Sequence, residues 1–545
     1  MVRVMGRTSA STRIGGHVFA ESLQALGAEV AFGLPGVHAL PMWEGMRAVE
    51  LPIVGLRQEV NAGFAADGYA RATGRPAPVL VSTGPGAFMT LAPLTEASRA
   101  FVPIVVVASQ INARDIGQGR GKLHETPDQA ASFAPLVKWT GRAGTVEDIP
   151  SVLAEAWRRA QTPPQGPVYV EIPYDVLRAP VETAAVDGLA GEPEPGALPA
   201  AGELDRAAAL LAGSERPLLV AGGGAVRSGA GTELLELAAC LDAPIATTYT
   251  GKGAVPERHP LAVGSAWDDA VHRALVADSD VILVVGSWLG YELTGAFREL
   301  EGTLIQIDAA PERIGVNMPA LGLVGDAKPV VQALVDRIEP GASRRGAERA
   351  ATVRAGVERS LREQSHREAA ELLEILDTVL PDAAAAAWDS TILAYAACWY
   401  LPVDDPRTFL YPAGSSTLGY AWPAALGAAT AHPGQPVLAV AGDGGFQYGL
   451  SELATAKQHG LDVALLLVDD GGYGILREYQ DEAGFTHEGV DLEHPDFAAV
   501  CEAYGIPARR SSVGGLEGDL RWALELPGPA AVVLVETLVL PQPAC

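Results

Sequence analysis

The chain has 545 residues, several times the usual domain size of roughly 100–200 residues, so we expect two to four domains with ample core. It carries 66 acidic and 39 basic residues, and this formal charge of −27 repels nucleic acid and anionic lipid. The segment Met1–Arg13 lacks the apolar core of a secretory signal, and no segment reaches the ~18 apolar residues of a membrane span. We therefore expect a cytoplasmic protein that binds neither nucleic acid nor membrane.

The cysteines support an intracellular, reducing environment. They lie far apart, fit no metal-binding spacing, and three of them have apolar neighbours, as buried free thiols commonly do. These residues are Cys240, Cys398, Cys501 and Cys545.

Short apolar runs of strand length alternate with helical patterns along the chain, which predicts parallel sheets. In the first third, strands are predicted at Ala31–Gly33, Ile53–Leu56, Pro78–Ser82, Ile104–Ala108 and Val168–Ile172. The stretch Val186–Ala200 is rich in Gly, Pro and Glu, which is typical of an interdomain linker. The first domain is therefore predicted to span residues 12–186.

Two further α/β blocks follow. The second has predicted strands at Pro217–Ala221, Val281–Val285 and Thr303–Ile307, and the third at Pro436–Val440, Val463–Val468 and Ala531–Val535. A charged stretch, Ser343–Glu371, has helical composition and joins them. We predict an α/β fold of three domains with parallel sheets, the second spanning residues 201–338 and the third residues 365–545.

The strongest functional motif is Ala441–Gly474. Asp443 follows a predicted strand, a helix is predicted over Leu450–His459, and Asp469 and Asp470 end the next strand. Open α/β sheets bind ligands at this carboxyl edge, and oxygen ligands on adjacent strand ends suit a hard cation that bridges a diphosphate. The alternative is that Asp443 only caps the following helix.

A second motif spans Arg57–Met89. Glu59 follows the short strand Ile53–Leu56 and starts an Ala-rich helix, which places its carboxylate at the end of an element. Taken alone, Glu59 would be explained as a helix-start residue that interacts favourably with the helix dipole.

Together these segments resemble the thiamine diphosphate-dependent enzymes of the acetolactate synthase and benzoylformate decarboxylase family. In that family Gly-Asp-Gly is followed about 27 residues later by Asn, and here Asp443 is followed at that distance by Asp470. The resemblance extends from about Gly15 to Thr537. It implies an N-terminal pyrimidine-binding domain, a central Rossmann-like domain and a C-terminal diphosphate-binding domain.

The resemblance also implies roles for individual residues. Glu59 would hydrogen-bond N1′ of the cofactor aminopyrimidine, favouring the imino tautomer whose 4′-nitrogen removes the thiazolium C2 proton to form the ylide. Asp443, Asp470 and the carbonyl of Gly472 would hold Mg²⁺, or Mn²⁺ or Ca²⁺. Asp470 departs from the family Asn and adds a negative charge, but a carboxylate can still donate one oxygen to the metal. Binding is therefore expected to survive, with altered metal preference or weaker cofactor affinity.

Other cofactor contacts follow from the same resemblance, with Leu418 as the bulky residue that bends the cofactor into its V shape. They are implied at Ser390, Thr391, Gly414, Leu418, Gly442, Gly444, Gly445, Tyr473 and Gly474. Glu59 and Asp443 would serve one cofactor from two different chains, so a homodimer or homotetramer is expected. The glycine run Ala221–Ala225 is only a weak indication of FAD, because many relatives keep this fold with the site empty.

Family members share the loss of CO₂ from a 2-oxo acid and differ in the fate of the resulting enamine or carbanion. Here Val37 and His38 stand where pyruvate decarboxylases carry an acid, and no His-His pair occurs in the first domain. His124 lies in a segment, Leu123–Thr126, that occupies the position of a Phe-Gln-Glu-like segment in acetolactate synthases. His38 and His124 are candidate catalytic residues, with packing as the alternative explanation for each.

The substrate pocket is further predicted to include Val37, Ile475, Leu476 and Tyr479. The segment Leu123–Gln129 resembles bacterial decarboxylases of 5-guanidino-2-oxopentanoate. The sequence therefore predicts thiamine diphosphate-dependent decarboxylation of a small-molecule 2-oxo acid, through ylide addition and an enamine or carbanion intermediate. The alternatives are an acetolactate synthase-like carboligase, a hydroxyketone lyase, a flavin-linked 2-oxo acid oxidase and an inactive cofactor-binding subunit.

Overall fold

The computed structural model describes residues 12–539 except 183–185, 187, 195, 299, 342 and 364–366. It does not describe the side chains of residues 291, 292, 363, 367 and 368. Most of the segment Met1–Arg13, Cys545 and both bounds of the predicted third domain lie outside the described residues. Cys240, Cys398 and Cys501 are free thiols.

The first sheet has six parallel strands in the order β2-β1-β3-β4-β6-β5. The strands are β1 (Ala31–Gly33), β2 (Ile53–Gly55), β3 (Ala77–Val81), β4 (Ile104–Gln110), β5 (Thr140–Arg142) and β6 (Val168–Pro173). The accompanying helices are α1 (Gly15–Ala25), α2 (Leu40–Ala48), α3 (Glu59–Thr73), α4 (Pro85–Phe88), α5 (Leu91–Ala100), α6 (Gln129–Phe133), α7 (Asp148–Gln161) and α8 (Tyr174–Arg178).

The second sheet is also parallel and six-stranded, in the order β12-β11-β10-β7-β8-β9. Its strands are β7 (Pro217–Ala221), β8 (Ile245–Thr247), β9 (Ala262–Gly264), β10 (Val281–Val285), β11 (Thr303–Asp308) and β12 (Leu321–Val324). Its helices are α9 (Ala201–Gly213), α10 (Gly223–Ser228), α11 (Gly231–Leu241), α12 (Ala270–Asp278), α13 (Tyr291–Thr294) and α14 (Ala327–Val335).

Two helices, α15 (Gly346–Glu363) and α16 (Arg367–Val379), lead into a third parallel sheet with the order β14-β13-β15-β16-β18-β17. The strands are β13 (Ala385–Trp388), β14 (Phe409–Leu410), β15 (Val437–Gly442), β16 (Val463–Asp469), β17 (Ala508–Ser511) and β18 (Ala530–Val535). The helices are α17 (Ile392–Tyr400), α18 (Ala421–Ala431), α19 (Asp443–Gly449), α20 (Leu453–His459), α21 (Gly474–Glu482), α22 (Phe497–Ala503) and α23 (Leu516–Glu525).

The central strands are buried along their whole length because both faces of each sheet are covered. Every residue of β3, β4, β10 and β16 is buried. Strands covered on both faces by helices carry continuous apolar runs rather than alternating ones. This is why the sequence pattern predicted these strands to within two residues at each end.

The predicted α/β fold with three parallel sheets is confirmed. The predicted single helix Leu450–His459 is wrong in detail, because α19 already begins at Asp443, a 3-10 turn covers Leu450–Glu452, and α20 follows. The glycines of α19 have low helix propensity, so tertiary packing decides this segment. The predicted domain bounds themselves remain predictions.

By contacts the chain forms two compact units, one with the first sheet and one with the second and third sheets. Within the latter unit the two sheets are joined through Glu257, whose backbone N–H donates to the carbonyl of Val403 at 3.1 Å while its carboxylate accepts from Val403 N at 3.0 Å. In the predicted linker, the carbonyl of Gly191 accepts from Gln161 Nε2 at 2.9 Å, so this part packs on the first unit. No described helix is long and apolar enough to cross a membrane.

Candidate active site

Two acidic residues meet at the carboxyl edge of the third sheet. Strand β15 ends at Gly442, so Asp443 is the first residue of α19, and the neighbouring strand β16 ends at Asp469, directly before Asp470. The register pairs Gly442 with Val468, which brings the two strand ends side by side. The carboxylates predicted as metal ligands therefore lie at one edge of one sheet, as ligand sites in open α/β sheets do.

A cavity of about 230 Å³ opens at this edge. It contains all of the cofactor and pocket residues predicted in this unit except Gly414, which does not line it. Those residues are Ser390, Thr391, Leu418, Gly442, Asp443, Gly444, Gly445, Asp470, Gly472, Tyr473, Gly474, Ile475, Leu476 and Tyr479. Sequence reasoning missed other lining residues, namely Ile392, Leu393, Tyr395, Ser416, Val468 and Leu538. Leu538 follows β18, and only the strand order reveals that β18 lies next to β16.

The electrostatics of this edge favour a bound cation. Asp443 is 1% exposed, and its Oδ2 has no hydrogen-bond partner among the described residues. Burial, reinforced by the nearby Asp470 carboxylate, raises the pKa of Asp443 to about 6, and burial also raises the pKa of Asp470. Gly442, not Asp443, occupies the N-cap position of α19, so Asp443 does not take the position expected of a capping residue. An unpartnered buried carboxylate beside a second one fits a divalent metal ion.

Three glycines of the motif are required by close approach rather than by unusual backbone angles. A Cβ atom on Gly474 would lie 2.2 Å from Asp470 Oδ2, and one on Gly445 would lie 2.5 Å from an oxygen of Asp389. A Cβ atom on Gly444 would lie 2.6 Å from the Tyr473 ring. The small residues therefore let the carboxylates and the ring reach the edge of the sheet.

The loop that carries Gly472 is held in a fixed conformation. Gly472 has φ +151, and its neighbour Tyr473 donates its N–H to the carbonyl of Val490 at 2.8 Å. The guanidinium of Arg477 donates to the carbonyls of Asp470 and Gly471 at 3.0 and 2.6 Å. The Gly472 oxygen lies 3.4 Å from where a Cβ of Gly444 would be, so it faces the start of α19. The Asp470 carboxylate and the Gly472 carbonyl could thus bind the same ion as Asp443.

Asp389 is a buried positioning residue that was not among the predicted site residues. It follows β13 and accepts hydrogen bonds from the backbone N–H groups of Ser390 and Gly419, each at 3.0 Å. Thr391 in turn caps α17 by accepting from Ala394 N at 3.1 Å. The Ser390 hydroxyl has no hydrogen-bond partner among the described residues, which leaves it available to a ligand phosphate.

In the first unit, Glu59 starts α3 after β2, as the sequence indicated. Helix α3 is buried from Asn61 to Ala70, and this packing fixes the position of the helix start that carries Glu59. A Cβ atom on Gly86 would lie 2.9 Å from Glu59 Oε1, so α4 lies directly against the carboxylate. Burial raises the pKa of Glu59, which favours its protonated form compared with a surface glutamate.

The structure brings His38 and His124 together, although they are distant in sequence. Their ring centroids are 5.7 Å apart at an angle of 87°, and the Tyr174 ring lies 5.2 Å from His38. Each Nδ1 is buried without a hydrogen-bond partner among the described residues. Burial and the neighbouring His124 lower the pKa of His38. The two histidines are not adjacent in the sequence, so their contact does not alter the absence of a His-His pair there. They meet because the loops that carry them follow β1 and β4, which end at the same edge of one parallel sheet.

His124 sits in a strained turn close to a glycine segment. Its φ is +64, and a Cβ atom on Gly84 would lie 2.6 Å from the His124 carbonyl oxygen. The Gly84 N–H donates to Gln129 Oε1 at 2.6 Å. The buried Gln129 amide also donates to Tyr169 OH at 2.6 Å. Val37, beside His38, is 46% exposed, and its hydrocarbon side chain can neither donate nor accept a proton.

The glycine run of the second sheet has a structural explanation. A Cβ atom on Gly222 would lie 2.4 Å from the Gly286 carbonyl oxygen, and one on Gly224 would lie 2.7 Å from the Gly286 Cα. These glycines allow the ends of β7 and β10 to pack closely. Their presence therefore does not by itself indicate FAD.

Three family models match the chain in the order of its sheets. The thiamine pyrophosphate enzyme N-terminal TPP binding domain matches residues 13–132, the central domain residues 204–334, and the C-terminal TPP binding domain residues 390–534. The fold and the carboxylate edge thus define a thiamine diphosphate-dependent enzyme. The chain belongs to this family, which confirms the resemblance found in the sequence.

Individual relatives agree with this assignment. A protein named probable 2-ketoarginine decarboxylase AruI, from Pseudomonas aeruginosa, is 35% identical over 98% of this chain and 95% of its own length. A probable acetolactate synthase large subunit from Methanocaldococcus jannaschii is 30% identical over 91% of this chain and 87% of its own. An acetolactate synthase large subunit from Corynebacterium glutamicum is 31% identical over 93% and 84%, respectively.

Proposed function

We propose that this chain decarboxylates a 2-oxo acid with thiamine diphosphate, and that the acid is 5-guanidino-2-oxopentanoate, also called 2-ketoarginine. The observation that carries the proposal is the cavity that contains Asp443, Asp470 and Gly472 at the edge of the third sheet. The substrate is suggested by the relative named as a 2-ketoarginine decarboxylase and by the segment Leu123–Gln129.

The site residues have distinct roles in this proposal. Asp443, Asp470 and the carbonyl of Gly472 would hold Mg²⁺ or Mn²⁺, while Ser390 and Thr391 would offer hydroxyl groups to the diphosphate. Thiamine diphosphate supplies the nucleophilic carbon and the electron sink for the departing CO₂. Ile475, Leu476 and Tyr479 form the wall on which the substrate chain lies.

Glu59 holds the proton that is exchanged with the aminopyrimidine N1′. The absence of a side chain on Gly86 leaves room for its carboxyl oxygen Oε1, and burial raises the pKa of Glu59. In metal-loaded enzyme, Glu59→Gln should lower CO₂ release from 5-guanidino-2-oxopentanoate by about 100-fold or more, the usual range for a lost acid–base group.

The control is Glu147→Gln, because Glu147 is also a glutamate at a helix start in the same unit but is exposed. It should act like wild type. Pyruvate, benzoylformate and 2-oxoisovalerate complete the substrate panel. Absence of CO₂ release from every acid, despite bound cofactor, would contradict the proposal.

The contact between His38 and His124 supports a role for this pair in the last step of the reaction. We propose that His124 or His38 would supply the proton that replaces the lost CO₂, so that the product would be an aldehyde and decarboxylation would be favoured over carboligation. His124→Gln keeps a hydrogen-bonding side chain but removes the titratable imidazole. It should decrease aldehyde formation and increase the share of hydroxyketone, as measured by chromatography of the products. An unchanged product ratio in His124→Gln and in His38→Asn would refute this role.

Acetolactate synthase-like carboligation is the second candidate. The sequence identity between this chain and two acetolactate synthase large subunits favours it. Hydroxyketone formation from pyruvate alone would support it.

The family resemblance suggests that Glu59 and Asp443 act on one cofactor from different chains of a homodimer or homotetramer. Mixed, refolded Glu59→Gln and Asp443→Asn chains should then regain activity, because a mixed dimer contains one intact site. No regain in a confirmed mixed dimer would contradict this arrangement.

A further inference from the structure

Glu125, the residue after His124, has a carboxylate that is bound by backbone N–H groups. Its Oε1 accepts from the Arg120 N–H at 3.1 Å, and its Oε2 accepts from the Lys122 N–H at 2.9 Å. These hydrogen bonds, foremost the one from Lys122, lower the pKa of Glu125 and so favour the ionised carboxylate. The Glu125 N–H in turn donates to the Lys122 carbonyl at 3.0 Å, so a closed turn contains His124.

The N–H groups that bind this carboxylate belong to an anion-binding nest formed by residues 119–122. Gly119 and Gly121 have φ +62 and +69, and they alternate with Arg120 and Lys122, which do not have positive φ. Such alternation turns successive N–H groups toward one point, where an anion binds. All four nest residues are exposed. A small anion from solvent can therefore reach the nest once the Glu125 side chain is removed.

A second carboxylate anchors the nest to the body of the first unit. Asp115 is buried, and its oxygens lie 3.0 Å from Arg120 Nη1 and 3.4 Å from Lys122 Nζ. The start of the same loop is tied down as well, because the Ala113 N–H donates to Asp175 Oδ1 at 3.0 Å. Asp175 belongs to α8, the helix whose first residue also contacts the histidine pair. The nest and the histidine pair are thus fixed to the same part of the unit.

His124 needs this support because its backbone conformation is unfavourable. Its φ of +64 is uncommon for a residue with a side chain, and such conformations persist only where the surrounding structure enforces them. Gly84 confines the His124 carbonyl on one side, and the nest holds the next residue, Glu125, on the other. Relaxation to negative φ would redirect the Cα–Cβ bond of His124, and its imidazole would leave His38.

We propose that Glu125 is a positioning residue, whose carboxylate fills the nest of residues 119–122 and thereby holds His124 against His38. This inference rests on the proposed role of His124 in the last step of decarboxylation, and it identifies what positions that histidine. Glu125 acts only through His124, because its two oxygens are bound by backbone N–H groups. The requirement is a carboxylate in the nest, whether or not it is attached to the chain.

The test is chemical rescue of Glu125→Ala in the cofactor-loaded, full-length enzyme. The variant should form aldehyde about 10- to 100-fold more slowly than wild type, since misplacing a reacting group by about 1 Å can cost that much. Sodium acetate should restore much of the rate by filling the nest, whereas acetamide, its neutral analogue, should not. Glu125→Gln keeps one acceptor oxygen and should lie between the two proteins. Asp148→Ala is the matched control, because Asp148 also accepts from a backbone N–H, that of Thr145 at 2.8 Å, but lies outside the nest. It should act like wild type with and without acetate.

A second measurement follows His124 without any turnover. NMR of protein with isotope-labelled histidine, in which His124→Gln identifies the His124 signal, should show that signal displaced in Glu125→Ala and returned by acetate. An unmoved signal, or a loss of aldehyde formation that acetamide repairs as well as acetate does, would overturn the positioning role. If the signal moves and returns while aldehyde formation stays at the wild-type rate, Glu125 does hold His124 and the proposed last step is the part that fails. Circular dichroism verifies folding, and Glu125→Gln replaces Glu125→Ala if the latter is misfolded.

Discussion

Gly474→Ala is expected to disrupt metal and cofactor binding without unfolding the protein. The added methyl carbon would lie 2.2 Å from Asp470 Oδ2, whereas ordinary contacts begin at 3.4 Å, so the carboxylate must move by at least about 1 Å. Metal sites tolerate ligand displacements of about 0.2 Å. Because Asp470 is proposed as a direct ligand, the perturbation acts on the ion itself.

The expected loss of affinity in Gly474→Ala is at least as large as the loss measured when a group that only orients a metal ligand is removed. Removal of such a group typically costs 10- to 100-fold in metal affinity, or about 1.4–2.8 kcal/mol. Gly474→Ala should therefore weaken Mg²⁺-dependent thiamine diphosphate binding by at least about 10-fold. Quenching of protein fluorescence during a cofactor titration at fixed Mg²⁺ measures this affinity.

Gly518→Ala is the matched control. Gly518 is an exposed glycine inside α23, and nothing lies within 4 Å of a Cβ built on it. It should leave cofactor affinity unchanged and stabilise the helix by about 1 kcal/mol, because alanine has the higher helix propensity. Wild-type affinity in Gly474→Ala would refute the reasoning, since the Asp470 carboxylate would then not be constrained at the ion.

Two further predictions concern buried charges. Burial raises the pKa of Asp389 to about 6, so its contribution to stability is present below pH of about 4 and is lost as pH rises through about 6. The thermal midpoint of wild type, measured relative to that of Asp389→Asn, should therefore decrease as the pH is raised from 4.5 to 7. The decrease should be equivalent to at most about 3 kcal/mol. A difference between the two proteins that does not change with pH would contradict this. Lys252→Met should lower the thermal midpoint by the equivalent of about 3–5 kcal/mol. The reason is that the buried Glu257 carboxylate, whose Oε2 lies 2.8 Å from Lys252 Nζ, would lose its counter-charge. Adding Glu257→Gln should recover part of that loss, and no recovery would argue against the pair.

The local sequence determined much of the fold and the cofactor motif. Continuous apolar runs predicted the central strands, because strands covered on both faces have no polar side. Strand β10 was predicted at its observed bounds, and β15 within two residues. The spacing from Asp443 to Asp470 follows from one strand–helix–strand unit, whose two strand ends must meet at one edge. That constraint is short-range, so it is visible in sequence.

Tertiary structure decided what depends on distant segments or on packing. Edge strands such as β14 are too short to show a pattern. Helix α19 forms despite its glycines because Gly444 and Gly445 at its start pack closely against Tyr473 and Asp389, not because of helix propensity. Leu538 reaches the cavity, and Asp389 reaches the N–H of Gly419, only through strand order and loop path, which no local periodicity encodes. The contact between His38 and His124 arises in the same way. Residues close in sequence carry the cofactor motif, whereas the surrounding charges and proton donors are assembled by long-range contacts, whose partners one sequence alone does not specify.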